Sequence, residues 1–204
     1  MNAIFWHAAT IACRLVRRFH VVPPQTVEVA DSFRDSDLII DLGGGGEGVI
    51  GQLRGRQVVA VDLRKAELDE TPAGPIKVVA DARNLPFPDD SFEAATSFYF
   101  LLYVRNSERG AVLREAYRVL VPDGRLHVWD AVVPPLGTST ARLFVVSVCA
   151  KLPGRTLRTM YGVPWHDRAM SAASITAEAR AAGFQVASTT TSGQTFHLVL
   201  SKPG

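Results

Sequence analysis

Residues 41–48 read Asp-Leu-Gly-Gly-Gly-Gly-Glu-Gly directly behind the apolar run Leu38-Ile39-Ile40, and no other stretch restricts the fold as much. A glycine has no Cβ, so this backbone can turn sharply and let a ligand approach to van der Waals distance. A helix starting near Glu47 would present free N–H groups behind the turn. A strand, a glycine turn and a helix in that order open a βαβ unit. Two further apolar runs follow at the spacing such units need. Val58 to Val61 is closed by Asp62, and Ile76 to Ala80 is closed by Asp81.

Strands that are apolar throughout, joined by helix-length segments, indicate a parallel sheet covered on both faces. A fourth strand is expected at Ala94 to Phe98 and a helix from about Glu108 to Leu120. Pro122-Asp123-Gly124 then turns into a fifth strand, Arg125 to Val132. Ser171 caps a helix that Gly183 stops. Two β-rich runs, 184–191 and 195–201, flank Ser192-Gly193 and read as an antiparallel hairpin. The expected fold is α/β: a doubly wound, mostly parallel seven-stranded sheet with a C-terminal antiparallel hairpin. A single domain, 1–204, is the expectation for this length.

Two segments stand outside that pattern. Residues 3 to 20 carry Ile4, Ala8, Ile11, Leu15 and Phe19 at helical spacing. This predicts, in order of expectation, a helix packed on the domain, a lid over a site (1–24), or a helix touching a membrane surface. Residues 134–170 are broken by Pro134-Pro135, Gly137, Pro153-Gly154 and Gly162-Val163-Pro164, around a short helix predicted near 139–150. They read as an insertion on the substrate side.

Composition narrows the setting. The 22 basic and 20 acidic residues are interspersed, so nucleic acid is not the expected partner. Cys13 and Cys149 form no CxxC pair, which fits small buried residues and a cytoplasmic setting. No basic residue precedes the apolar N-terminal stretch, so no secretory leader is expected, and Leu143 to Ala150 is too short to span a bilayer. No His, Cys or Asp cluster has metal-ligand spacing.

Gly43, Gly45 and Gly48 satisfy G-x-G-x-x-G, which also suits a dinucleotide. Asp41 and Glu47 argue against one, because both would set negative charge where a pyrophosphate must lie. A cationic sulfonium tolerates them. Ile39-Ile40-Asp41-Leu42-Gly43-Gly44-Gly45 resembles the first motif of class I S-adenosylmethionine-dependent methyltransferases, and Val61-Asp62 resembles the second. Asp81-Ala82-Arg83-Asn84-Leu85-Pro86-Phe87 is similar to their adenine-side loop, and Arg118 to Leu126 to the turn before the fifth strand. The resemblance is close over about 36–133 and loose over 171–202, and it points to the small-molecule branch that includes quinone-biosynthesis enzymes.

The resemblance implies a Rossmann-like methyltransferase fold, S-adenosylmethionine as cofactor and a small-molecule acceptor. It places Gly43 and Gly45 along the methionine part and Asp41 near its ammonium. Asp62, with Leu63 beside it, would take the ribose hydroxyls, Asp81 the adenine amino group and Ala82 the ring. Phe98 would lie near the transferred methyl. Glu47 stands where many members have glycine, so the path of the loop there departs from the pattern. No Asn/Asp-Pro-Pro-Tyr follows the fourth strand and no Pro-Cys pair exists, which argues against amino and cytosine-C5 acceptors. Methyl transfer rests mainly on positioning and desolvation, with a base needed only for a protonated nucleophile. His166, Tyr161 and Tyr103 are the candidates for catalytic contacts, ahead of Tyr99 and Trp165, with His166 the preferred base. A noncatalytic cofactor-binding module and a nicotinamide or flavin oxidoreductase are the alternatives. Oligomeric state is not legible.

Overall fold

The computed structural model describes residues 18–204. After an initial strand β1 (Phe19–Glu28), the chain alternates between strands and short helices. These are β2 (Ile39–Leu42), α1 (Val49–Arg54), β3 (Val58–Asp62), α2 (Lys65–Glu70), β4 (Ile76–Val79), β5 (Phe92–Phe98), α3 (Asn106–Val119) and β6 (Leu120–Ala131). The remainder is β7 (Leu143–Leu152), β8 (Arg155–Pro164), α4 (Ala172–Ala181), β9 (Gln185–Ser192) and β10 (Thr195–Ser201).

Seven strands form one sheet in the order β4-β3-β2-β5-β6-β10-β9. The first five are parallel, β10 runs antiparallel to β6, and β9 antiparallel to β10. This is the expected doubly wound sheet with its closing hairpin. The central strands are apolar because both their faces are covered: Ile39, Ile40, Val58, Val61, Ala95 and Val128 have no exposed surface. Strand order reverses between β2 and β5, so a crevice opens beyond their carboxyl ends. The Ser171 side chain accepts from the Ser174 amide and caps α4, as expected. The predicted turn at Pro122-Asp123-Gly124 falls inside β6. There Asp123 takes a left-handed conformation (φ 63°), and the pairing with β5 jumps from Leu120 to Arg125.

The insertion differs from its expectation. Residues 143–152 form strand β7, not a helix, and pair antiparallel with β8 across a turn at Gly154 (φ 75°). Val145, Val146 and Val148 with Phe144 explain this, since β-branched and aromatic side chains lose rotamer freedom in a helix and pack well on a pleated surface. β1 adds parallel to β7 and completes a separate three-stranded sheet. The helix predicted over 3–20 lies outside the described residues up to 17, and its last two residues, Phe19 and His20, belong to β1. Pro23 and Pro24 do not end that element. They occupy a register shift in β1 between Val22 and Gln25, where a residue without an N–H costs no ladder bond. Among the described residues no helix is long and apolar enough to cross a membrane.

Candidate functional site

The turn after β2 is pinned to β3: the amides of Gly43 and Gly44 both donate to the Val61 carbonyl, at 2.8 and 3.0 Å. Glycine is required here by crowding. A Cβ on Gly45 would lie 2.5 Å from Glu67 Cβ and 2.8 Å from the Asp62 carboxylate, and one on Gly43 would lie 2.3 Å from the Phe100 ring. A cleft of about 840 Å³ opens in front of this turn, bounded by the carboxyl ends of β2, β3, β4 and β5.

Three strand-end acids divide the polar half of the cleft. Asp41, in β2, is 3% exposed and accepts 2.7 Å from Thr96 Oγ1, its register partner on β5. Burial pushes its carboxyl up to about 7, against the Thr96 hydrogen bond, and the nearby Asp62 charge adds to the rise. Asp62 ends β3 partly exposed, with Oδ1 accepting from the Arg64 amide at 2.8 Å. Its other oxygen faces Gly45. Asp81 follows β4 and accepts from the Arg83 amide at 2.9 Å and from its guanidinium at 2.7–3.1 Å. The Arg83 hydrogen bonds hold the Asp81 carboxyl below its ordinary value. Arg83 continues to Glu108, and Arg64 pairs with Glu67.

The other half is aromatic. Phe98 ends β5, and Phe100, Tyr103, Met160 and Tyr161 complete the wall. Tyr99 adopts φ 51°, an uncommon conformation for a non-glycine residue, and its ring lies parallel to Tyr161 with centroids 4.8 Å apart. Burial raises the phenols of Tyr99, Tyr103 and Tyr161, so at neutral pH all three are protonated and can donate hydrogen bonds. β8 brings Met160 and Tyr161 here because two side chains tie it to the glycine loop and to α1 behind it. Thr159 Oγ1 donates to Glu47, and Arg155 donates to the Gln52 carbonyl at 2.6 Å.

All nine residues expected around the cofactor line this one cleft: Asp41, Gly43, Gly45, Glu47, Asp62, Leu63, Asp81, Ala82 and Phe98. Tyr103 and Tyr161 line it too. His166 does not: it is exposed, beyond the end of β8 and outside the cleft wall. Trp165 is also removed from the site, buried at 4% with Nε1 donating 2.7 Å to the Pro134 carbonyl. Sequence reasoning missed Phe100, Met160 and Thr159. Phe100 was findable in principle, because a chain leaving the fourth strand must pass over the first glycine. The β8 residues were not, because their segment had been assigned to an irregular insertion.

Residues 40–128 match the family model described as a methyltransferase domain. The chain is 33% identical over 115 residues to demethylmenaquinone methyltransferase of Thermus thermophilus, covering 56% of this chain and 50% of that protein. It is 33% identical over 135 residues to a ubiquinone/menaquinone biosynthesis C-methyltransferase of Pseudomonas putida, covering 57% and 48%. The chain therefore spans about half the length of these relatives. Among solved structures, an S-adenosylmethionine-dependent methyltransferase from Methanosarcina mazei superposes with a TM-score of 0.61 at 18% identity, over 84% of this chain and 94% of that one.

Proposed function

We propose that the cleft binds S-adenosylmethionine and directs its methyl group to a small, partly apolar acceptor, a reading supported by the match of residues 40–128 to a methyltransferase domain and by the fold shared with S-adenosylmethionine-dependent methyltransferases. The observation that carries this reading is the division of the cleft. Its polar half presents the glycine turn with Asp41, Asp62 and Asp81, and its other half presents aromatic rings with, among the described residues, no basic side chain. Among the described residues, seven acidic side chains, counting the buried Asp41, line the cleft against two guanidinium groups, and both of those are paired. This charge favours a cationic ligand and opposes the pyrophosphate of a nicotinamide or flavin dinucleotide.

The cofactor supplies an activated methyl on a positively charged sulfur, a good leaving group. The chain's own residues bind and orient. Gly45 gives clearance beside Asp62, whose carboxylate takes the ribose hydroxyls, while Asp41 lies toward the methionine ammonium. Phe98, Tyr103, Met160 and Tyr161 exclude water and hold the acceptor, with the two phenols donating hydrogen bonds to its oxygen atoms. No imidazole is within this wall among the described residues. The relatives' names speak of quinone biosynthesis and, in one, of C-methylation; the acceptor class in this reading is a quinone-type ring, reduced to the hydroquinone so that its carbon is nucleophilic. Residues 1–204 act as one domain in this reading, with β8 as the acceptor-side wall and the cytoplasm as the setting.

The test is transfer of isotopically labelled methyl from S-adenosylmethionine to a panel of substituted benzo- and naphthohydroquinones, simple phenols and amines. Labelled hydroquinone, with Tyr161→Leu raising its KM, is the expected result. Labelling confined to amines, or of nothing in the panel, would overturn the acceptor assignment.

A further inference from the structure

The glycine loop carries two acids, and their side chains lie toward different halves of the cleft. Asp41 is buried against Thr96, and the charge that adds to its rise is that of Asp62. Glu47 is exposed, with its main-chain carbonyl accepting from the Gln52 side chain and Gly48 turning left-handed behind it (φ 53°). Its Oε1 accepts from the hydroxyl of Thr159, which is 2% exposed on β8. The next two residues of that strand, Met160 and Tyr161, belong to the aromatic wall. Burial raises the phenols of Tyr161 and Tyr103, and the Glu47 charge adds to the rise of both.

Glu47 thus sets a carboxylate beside two protonated phenols. Among the described residues no cation pairs with it, whereas Glu67 holds Arg64, and Asp81 and Glu108 hold Arg83. The Thr159 hydroxyl has a single proton to give, so the carboxylate keeps lone pairs for a further donor. An ionised carboxylate only accepts, and the phenols beside it can donate. A ring hydroxyl satisfies both at once: it donates to Glu47 and accepts from Tyr103 or Tyr161. A quinone carbonyl or an ether oxygen in the same place has no proton to give and turns its lone pairs toward a negative charge. Hydrogen bonds to an ionised acceptor are roughly twice as strong as neutral ones, which makes this difference large.

We propose that Glu47 is a specificity residue for the acceptor, its carboxylate selecting a ring that carries a free hydroxyl over the same ring as a quinone or an ether. This rests on the acceptor reading made above. It assigns to the acceptor a side chain that its place in the loop alone would give to the cofactor.

Calorimetric titration of the protein saturated with S-adenosylhomocysteine tests this without turnover. The probes are tetramethylhydroquinone kept reduced under argon, its dimethyl ether, and tetramethylbenzoquinone, which share one ring and differ in the oxygen substituents. The parent is expected to bind the hydroquinone at least about tenfold more tightly than either other probe. Glu47→Gln keeps the shape of the side chain but supplies an amide that can donate to a carbonyl. It is expected to cut the preference to less than threefold, with S-adenosylhomocysteine affinity within twofold of the parent. Equal binding of the three probes by the parent, or an unchanged preference in Glu47→Gln, overturns the role of Glu47 and leaves the acceptor class standing. Weakened S-adenosylhomocysteine binding in Glu47→Gln with the preference kept assigns the side chain to the cofactor and overturns it as well. Binding of none of the three probes overturns the acceptor reading together with it.

Discussion

Arg109, in α3, is 1% exposed, yet its guanidinium makes three hydrogen bonds to main-chain carbonyls. Nε donates to Leu101 at 3.1 Å, Nη1 to Ala169 at 2.9 Å and Nη2 to Arg168 at 3.0 Å. These bonds join the segment beyond β5, which carries Phe100 and Tyr103, to the segment leading into α4. Asp130, fully buried beside it, accepts from the amides of Ala131 and Leu102 at 2.8 and 3.2 Å. Replacing Arg109 by Met keeps much of the volume but removes the side-chain donor from three carbonyls, of which only that of Leu101 keeps another, the Val104 amide at 3.0 Å. Each bond to a charged donor is worth roughly 1.5–3 kcal/mol. Burying the guanidinium itself costs several kcal/mol, which the variant recovers. The expected net loss is therefore about 3–5 kcal/mol, or roughly 6–20 °C in Tm for a chain of this size. Arg109→Lys should fall between the two, because an ammonium on a flexible stem cannot reach three separated carbonyls in the fork geometry. Urea denaturation followed by circular dichroism measures this directly. A loss under about 1 kcal/mol for Arg109→Met would refute the claim that this side chain ties the two segments together.

Three further outcomes follow from the site and its surroundings. Asp62→Ala should weaken S-adenosylhomocysteine binding at least about tenfold in a calorimeter, with the melting temperature kept, since two charge-assisted bonds to the ribose are removed; equal affinity would assign the ribose to another residue. Gly48→Ala should destabilise by about 1–3 kcal/mol, because its Cβ would lie 2.3 Å from Thr71 Cγ2 at φ 53°, and adding Thr71→Ser, which lacks that methyl, should restore part of the loss in a thermal melt. Burial holds His127 and His197 down to about 4 and pushes Asp41 and Asp130 up to about 7. Between pH 6.5 and 4 the unfolded chain takes up protons on the histidines that the folded chain refuses, which destabilises the fold as pH falls. Between 7 and 4 the folded chain takes up protons on the two aspartates ahead of the unfolded one, which stabilises it as pH falls. The two effects oppose, and Asp130→Asn removes one stabilising contribution. Its unfolding free energy should fall relative to the parent by on the order of 3 kcal/mol from pH 7 to 4; a difference independent of pH in denaturant melts would contradict this.

The sheet and the polar half of the cleft were legible because each rests on a local rule. Apolar strands closed by Asp41, Asp62 and Asp81, with glycines between the first two, define both the βαβ order and the cleft at its switch point. The aromatic half depended on a long-range pairing that local rules do not reach. β1 is interrupted by two prolines and finds its partner more than 120 residues later in β7. Without that partner, 143–150 could equally be a short buried helix, since a short apolar run does not fix its own period. The misassignment carried consequences for the site. As the end of a core hairpin, Trp165 is a packing residue whose removal would cost stability, so it cannot probe acceptor binding. His166 lies where β8 leaves the cleft. Met160 and Tyr161 face the cleft because Thr159 is held by Glu47, the residue that departs from the glycine usual in the resembled motif.

The most direct test of the whole account is a crystal structure of the protein with S-adenosylhomocysteine. The account predicts both ribose hydroxyls within hydrogen-bonding distance of the Asp62 carboxylate, the methionine part along Gly43 to Gly45, and the sulfur facing the space between Phe98, Phe100 and Tyr161. A ligand seated elsewhere, or one whose ribose makes no contact with Asp62, would contradict it.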